Sequence, residues 1–296
     1  MSRKRAVKTE QGYFHSFDGT KIFYACEGPR EAPFLFFCYG LVCSRHQWKY
    51  QIDYFRKNFR TCYIDLRGHN RSEIPRNIDS LTITSLAKDI YCFMNELSIE
   101  QMPLLGHSLG VNILLEFARL YPKRSSALVL INGTPKDPFE TMFNHNFLQV
   151  LYPLVDVAYQ FIPEIIEKLW KQQGTNQMHQ EFISRVGFNP AYAKRDDINE
   201  YLQIAGSIDF KVFHTLLLDF MRADARTWLD QIQTPTLIIG GDRDIITPLP
   251  TQKLMKHLMP KASLKIIKEG SHVCQFDKPK EVNALIEKFL SRLVGI

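Results

Sequence analysis

Short apolar runs alternate with longer amphipathic stretches along most of this chain. The first pair reads as a hairpin, because Tyr13–Phe17 and Thr20–Cys26 flank Asp18-Gly19, a dipeptide suited to a tight turn. Phe34–Cys38 is wholly apolar, as a strand covered on both faces of a parallel sheet must be. A helix through Trp48, Ile52 and Phe55 follows, and then a strand over Arg60–Leu66. Ile83, Leu86, Ala87, Ile90, Phe93, Met94 and Leu97 recur at helical spacing, with Thr82 placed to cap the first turn. Met102–Leu105 is an apolar run ending at Ser108, and the amphipathic run Ile113–Leu120 closes at Tyr121-Pro122. Ala127–Ile131 is the next strand, ended by Asn132-Gly133. A hairpin followed by β-α-β-α-β-α-β predicts a mostly parallel sheet with helices on both faces.

The rhythm changes between Pro135 and Arg222, where no strand pattern is found. Aromatic residues are frequent there, among them Phe139, Tyr152, Tyr159, Trp170, Phe213 and Phe220. Pro153, Pro163, Gly174, Gly187 and Pro190 are expected to break the stretch into short helices. The alternation then resumes. A helix through Trp228 and Ile232, a strand over Pro235–Gly240, a helix near Thr251–Leu258 and a strand over Leu264–Lys268 precede a closing helix. That helix starts near Asp277 and Pro279 and carries Val282, Leu285, Ile286 and Phe289 as its apolar stripe. The expected organisation is a core of residues 1–134 and 223–296 around an eight-stranded sheet, with a helical insertion over 135–222.

Composition narrows this picture. With 296 residues, 45% of them hydrophobic, the chain can bury one large core and a smaller subdomain. The formal charge is +6, and Arg3, Lys4, Arg5 and Lys8 supply part of the excess as a basic, solvated terminus. Beyond residue 10 basic and acidic residues are interspersed, so no nucleic-acid surface is expected. The six cysteines form no C-x-x-C pair and no metal-ligand spacing, which predicts reduced, mostly buried thiols in a reducing compartment. No apolar segment follows the basic start as in a secretory leader, and no apolar run approaches the ~20 residues of a membrane span. These readings together predict a cytoplasmic protein without a transmembrane segment. Its oligomeric state is not legible.

The candidate chemistry centres on Gly106-His107-Ser108-Leu109-Gly110, a G-x-S-x-G motif between a buried strand and a helix. That is the setting of a nucleophile elbow: the turn lifts the serine hydroxyl clear, small residues must flank it, and the helix aims its N–H groups there. A serine after a strand can also simply cap a helix, but glycines on both sides and a downstream histidine favour the nucleophile. Ser108, Asp244 and His272 stand at the carboxyl ends of three predicted parallel strands, the edge at which open α/β sheets build sites. A serine hydroxyl needs an adjacent base, an imidazole can take and return its proton, and a buried carboxylate fixes the imidazole tautomer. Asp242 is a rival to Asp244 for the last role, and is otherwise read as a turn-maker. Other histidines, among them His15, His46, His69, His107, His145, His214 and His257, are read as structural or unassigned.

Four motifs in order carry a resemblance: Tyr39-Gly40-Leu41, Asp65-Leu66-Arg67-Gly68-His69, the elbow, and Gly241-Asp242-Arg243-Asp244 with Gly270-Ser271-His272. From about Gly12 to Leu293 the chain resembles the α/β-hydrolase superfamily, in its serine esterase/lipase branch. The resemblance implies the α/β-hydrolase fold, a variable helical cap or lid over 135–222, and a triad of Ser108, Asp244 and His272. It also implies an oxyanion hole made by the backbone N–H groups of Leu41 and Leu109. Similar dehalogenases and epoxide hydrolases have Asp at the nucleophile position, so Ser108 points to acyl-enzyme chemistry.

The expected activity is hydrolysis of small apolar carboxylic esters, as by a carboxylesterase or lipase, with no metal and no organic cofactor. Lactone hydrolysis or cleavage of a vinylogous diketone C–C bond would use the same triad. A ligand receptor that does not turn over is the alternative of another class. Three positions depart from the family pattern: Tyr39 where His is common, Val111 where Gly often follows the elbow, and Asn70 where Gly is common. Tyr39 is expected either to shape the pocket floor or to offer its hydroxyl to substrate.

Overall fold

The computed structural model describes residues 9–144, 147–172 and 176–294. The basic residues Arg3, Lys4, Arg5 and Lys8, together with His145 and Gly174, lie outside the described residues. The elements in order are β1 (Thr9–His15), β2 (Lys21–Glu27), β3 (Phe34–Cys38), α1 (Lys49–Phe55), β4 (Arg60–Ile64), α2 (Ile83–Glu96), β5 (Met102–His107), α3 (Leu109–Leu120) and β6 (Ser125–Ile131). Then come α4 (Phe147–Phe161), α5 (Pro163–Gln172), α6 (Gln177–Gly187), α7 (Arg195–Ser207) and α8 (Phe210–Arg222). β7 (Thr236–Gly241), α9 (Leu249–Leu258), β8 (Ala262–Ile267), α10 (Cys274–Asp277) and α11 (Pro279–Val294) complete the chain.

Eight strands form one sheet in the order β1-β2-β4-β3-β5-β6-β7-β8. β1 pairs antiparallel with β2, and β2 with β4, while every later ladder is parallel. The turn between β1 and β2 uses Gly19 at φ 82, with the Thr20 N–H donating to Asp18 Oδ1 at 3.1 Å. β5 and β7 are buried at every position, because helices cover both faces of the sheet, whereas the edge strand β8 is half open to solvent. Thr82 caps α2 as its position predicts, its side chain accepting from the Ser85 N–H.

After β3 the chain moves outward to β4, then returns past β3 to lay down β5. The order reverses there, so the crevice above the carboxyl ends of β3 and β5 is the expected place for a site. Leu41 and Ser108 follow those two ends. The loop after β4 is held by a buried ion pair. Arg67 Nε and Nη2 donate to Asp89 at 2.8 and 2.5 Å, and neither residue is exposed to solvent.

Between β6 and β7 the described residues form helices and no strand. α8 returns to the main core through Val212, Leu216 and Phe220. Pro163 opens α5 and Gly187 ends α6, but Pro153 lies inside α4 and does not break it. Packing outweighs the local cost of about 3 kcal/mol, since the adjacent Tyr152 is buried against Phe139 and Leu217. The helix expected through Trp228 and Ile232 is a single 3-10 turn, Leu229–Gln231.

One cysteine expectation is corrected. Cys26 and Cys62 are cross-strand partners in the β2–β4 ladder, their Cα atoms 4.2 Å apart, and they form a disulfide. The sheet brings together residues 36 positions apart, so no local spacing could announce the bond. Cys38, Cys43, Cys92 and Cys274 are free thiols. Thiol chemistry therefore no longer argues for a reducing compartment. No helix among the described residues is long and apolar enough to cross a membrane.

Candidate active site

The turn after β5 is tight enough to dictate its own glycines. A Cβ on Gly106 would stand 2.7 Å from the Gly110 carbonyl oxygen, and one on Gly110 would stand 2.5 Å from that of Cys38. Any side chain at either position would force the strand, the helix and the neighbouring loop apart. Ser108 itself takes φ 54 and ψ −123, a conformation that costs a residue with a Cβ. Its N–H donates to the Ile131 carbonyl at 3.1 Å, and its carbonyl accepts from the Val111 N–H at 2.8 Å. The side chain is left half-buried at the start of α3.

The loop after β3 lies directly on this serine: a Cβ on Gly40 would come 3.1 Å from Ser108 Cβ. The Gly40 N–H is taken by Gln47 Oε1 at 2.8 Å, and Gln47 Nε2 donates in turn to Cys43 Sγ at 3.2 Å. With Gly40 so engaged, the next N–H, that of Leu41, is the candidate donor on this loop. Leu109, the first residue of α3, is fully buried beside Ser108.

Tyr39 is also fully buried. Its hydroxyl accepts from the Leu66 N–H at 2.7 Å and from Asn70 Nδ2 at 3.3 Å, and donates to Asp65 Oδ1 at 3.4 Å. Burial, reinforced by Asp65, pushes the phenol well above its ordinary range. Of the two roles open to Tyr39 in the sequence, these contacts favour the structural one, since the hydroxyl is committed to Leu66, Asn70 and Asp65. Asp65 also binds the Arg71 N–H and Nε at 3.3 and 3.1 Å, which organises the loop before and after Gly68.

Asp244 and His272 meet across the ends of β7 and β8. His272 Nδ1 lies 3.0 Å from Asp244 Oδ2, and both residues are buried. Asp244 is itself fixed: Oδ1 accepts from the N–H groups of Ile246 and Thr247 at 2.8 and 2.9 Å, and Oδ2 accepts from Thr247 Oγ1 at 2.7 Å. The turn-making expected of Asp242 therefore belongs to Asp244, while Asp242 is exposed. The segment is not extended, because the Asp244 N–H folds back on the Gly241 carbonyl at 3.4 Å, and the two carboxylates point into different surroundings.

The residue before Ser108 joins the two halves of the site. His107 Nε2 donates to the His272 carbonyl oxygen at 2.7 Å, and the two imidazole centroids are 4.8 Å apart. Burial first, then the neighbouring His272, holds the His107 pKa well below the ordinary histidine value, so the ring is neutral with its proton on Nε2. His69 is likewise buried, its pKa pushed down to about 4 by desolvation, with Nδ1 3.2 Å from the Arg67 carbonyl.

Two further residues of the site were not legible as such. Asn132 donates from Nδ2 to the carbonyls of Ser271 and His272 at 2.9 and 2.7 Å, and accepts the Gly241 N–H on Oδ1 at 2.8 Å. Asp277 accepts from the Ser271 N–H and hydroxyl at 2.7 and 2.6 Å. The sequence announces the first only as Asn-Gly at a strand end and the second only as a helix start. Of the histidines without a role, His214 sits between Tyr152 and Asp156, and His46 contacts Glu200 and the Asp197 carbonyl. No cluster of three or more His, Cys, Asp or Glu side chains suited to a metal occurs among the described residues.

The model of the alpha/beta hydrolase fold family matches residues 33–279. The chain belongs to that family. Protein ABHD8 of Bos taurus is 26% identical over 301 residues, covering 97% of this chain and 62% of the relative. The chain thus spans less than two thirds of that protein. Epoxide hydrolase 3 of Mus musculus is 23% identical over 288 residues, with 94% of this chain and 76% of the relative covered. Among solved structures, the enol-lactonase of Burkholderia xenovorans LB400 superposes with a TM-score of 0.76 at 20% identity, covering 95% of this chain and all, 100%, of its own. Like this chain, that structure has the fold of the family, and at this identity the likeness carries the fold alone.

Proposed function

We propose that this α/β-hydrolase-fold chain is a serine hydrolase that cleaves carboxylic esters of apolar acyl groups through an acyl-enzyme on Ser108. One observation carries the reading: a buried Asp244–His272 pair at 3.0 Å whose His272 carbonyl accepts from His107, the residue before a serine held at positive φ on an elbow. Asp244 accepts the Nδ1 proton of His272, which leaves Nε2 unprotonated as the base. Ser108 Oγ attacks the ester carbonyl as His272 Nε2 takes its proton. The tetrahedral oxyanion is met by the N–H groups of Leu41 and Leu109. Collapse breaks the ester C–O bond, and His272 returns the proton to the leaving alkoxide. Water, deprotonated by His272 in the same way, then attacks the acyl-enzyme and releases the acid and Ser108.

Residues 135–222 act in this reading as a cap over the site. Support comes from the apolar cluster of Phe139, Tyr152 and Leu217, which packs against Leu41 on the loop beside Ser108. An apolar acyl chain suits such a lining better than a charged one. Serine at position 108 supports acyl transfer. A lactone, being an internal ester, would follow the same steps.

The test is turnover of a p-nitrophenyl acyl series by wild type and Ser108→Ala, with fluorophosphonate labelling read by mass spectrometry. Steady turnover, labelling at Ser108 and a loss in kcat on the order of 10⁶ in the variant are expected. A single slow burst without turnover would instead favour a receptor-like role, and full activity in Ser108→Ala would remove the serine from the mechanism.

A further inference from the structure

Asn132 follows the last residue of β6 with φ 46, in the left-handed region, and has no solvent exposure. Glycine adopts that conformation freely, and asparagine tolerates it better than most residues with a Cβ. What asparagine adds here is three side-chain hydrogen bonds to main-chain groups on two other strand ends. Nδ2 donates to the carbonyls of Ser271 and His272, and Oδ1 accepts from Gly241, the last residue of β7. The Asn132 N–H is fixed in turn by the Ile239 carbonyl at 3.0 Å. The His272 carbonyl receives a second donor, His107 Nε2, from the end of β5. Both lone pairs of this one oxygen are therefore used, one from the strand that leads to Ser108 and one from the residue that grips the start of the Asp244 loop.

This matters because His272 hangs on a loop after β8, which among the described residues is an edge strand paired with β7 alone. Asp277 holds Ser271 from within the same segment, which shapes the loop but does not register it against β5, β6 and β7. Two side-chain torsions separate the imidazole from its backbone, so a shift of the His272 carbonyl carries the ring with it. We propose that Asn132 is a positioning residue of the hydrolytic site, setting the His272 imidazole between Asp244 and Ser108 through the His272 carbonyl. The proposal rests on the roles given above to Ser108, Asp244 and His272.

Asn132→Gly is the deciding variant, because glycine adopts φ 46 freely and the variant removes the side chain that makes the three bonds. Three quantities are read. They are the rate of Ser108 phosphonylation by a small alkyl fluorophosphonate, kcat and KM on p-nitrophenyl butyrate, and the low-field proton NMR signal of His272 Nδ1–H. The signal is assigned by its absence in His272→Gln.

A misplacement of about 1 Å predicts roughly a 10²-fold fall in phosphonylation rate and kcat. KM should stay within about twofold, and the low-field signal should shift or vanish. Wild-type labelling with an unchanged signal in Asn132→Gly would overturn the proposal, as would a rise in KM at unchanged kcat. Asn132→Asp guards against a folding failure: it keeps the volume and the acceptor for Gly241 but has no donor for His272. Its signal must likewise shift or vanish, and an unchanged signal there also overturns the proposal. Should wild type resist phosphonylation at Ser108, the hydrolase reading fails, yet the signal still decides Asn132: loss in the variants supports it and persistence rejects it.

Discussion

The carboxylate of Asp244 lies 3.0 Å from Nδ1 of His272, and its other oxygen is held by the N–H groups of Ile246 and Thr247. Asp242, two residues earlier, is exposed. Asp244→Asn keeps the size of the side chain but turns an amide toward His272, which favours the wrong tautomer. By analogy with Ser-His-Asp proteases the expected loss in kcat is about 10⁴. Asp242→Asn should change kcat little and the unfolding midpoint little, since a solvated side chain is being altered. Steady-state kinetics and urea denaturation of both variants check this, and a rate-crippled Asp242→Asn would reverse the assignment.

The Arg67–Asp89 pair makes a prediction about stability alone. Both side chains are fully buried, and Asp89 also accepts from Ser16 Oγ at 2.5 Å. Removing the carboxylate in Asp89→Ala strands a guanidinium charge whose remaining acidic partner is Asp18, at 2.8 Å. The expected cost is roughly 3–5 kcal/mol. Replacing both residues with apolar ones of similar volume should recover much of that loss. Urea midpoints of the single and double variants measure it, and a single-variant cost near zero would mean that the pair does not hold the loop after β4.

The parts of the fold that follow from local pattern were legible in the chain. Phe34–Cys38 and Met102–Leu105 read as buried strands because parallel strands covered on both faces contain little else. Thr82 read as a cap because hydroxyl side chains before an apolar-periodic run have that use. What was not legible depends on contacts that only the assembled sheet makes. Cys26 and Cys62 are ordinary strand residues until β2 pairs with β4. Asn132 is an ordinary strand-end residue until β7 and the loop after β8 arrive beside it. Asp242 and Asp244 are told apart in the chain only by the family resemblance, which places the acid at Asp244, and burial is what separates them physically. Pro153 predicts a break because its local cost is large, and packing by Tyr152 outweighs that cost.

The Cys26–Cys62 bond has a direct chemical check. Unfolded, unreduced protein should titrate four thiols, those of Cys38, Cys43, Cys92 and Cys274. After reduction it should titrate all six. The chain-entropy relation for a sequence separation of 36 residues predicts a stabilisation of about 4 kcal/mol. Cys26→Ser should lower the unfolding midpoint accordingly in the absence of reductant, and by much less in its presence. Six thiols before reduction would show that the two cysteines pair only as neighbours.

The last prediction follows from the buried histidines. The pKa of His69 is pushed down to about 4 by desolvation, and that of His107 lies well below its ordinary value for the same reason. An unfolded histidine binds its proton near pH 6.5. Between about pH 6.5 and 4 the unfolded chain therefore binds more protons at position 69 than the folded chain does. Stability must rise with pH across that window, and must be lost as pH falls through it, by on the order of 3 kcal/mol for His69. Buried carboxylates act in the opposite direction: the pKa values of Asp65, Asp89 and Asp277 are raised by desolvation, so they take up protons more readily in the folded state. The raw curve thus mixes signs, and the informative quantity is the difference between wild type and a variant. His69→Asn keeps an N–H where Nδ1 faces the Arg67 carbonyl but cannot titrate. Its unfolding free energy should depend less steeply on pH between 6.5 and 4, by up to about 1.4 kcal/mol per pH unit. Above pH 7 the two curves should run parallel, offset by whatever the altered packing costs. Equal slopes across the acidic window would mean that His69 binds its proton equally well folded and unfolded, and that the loop carrying it opens to water before the protein unfolds.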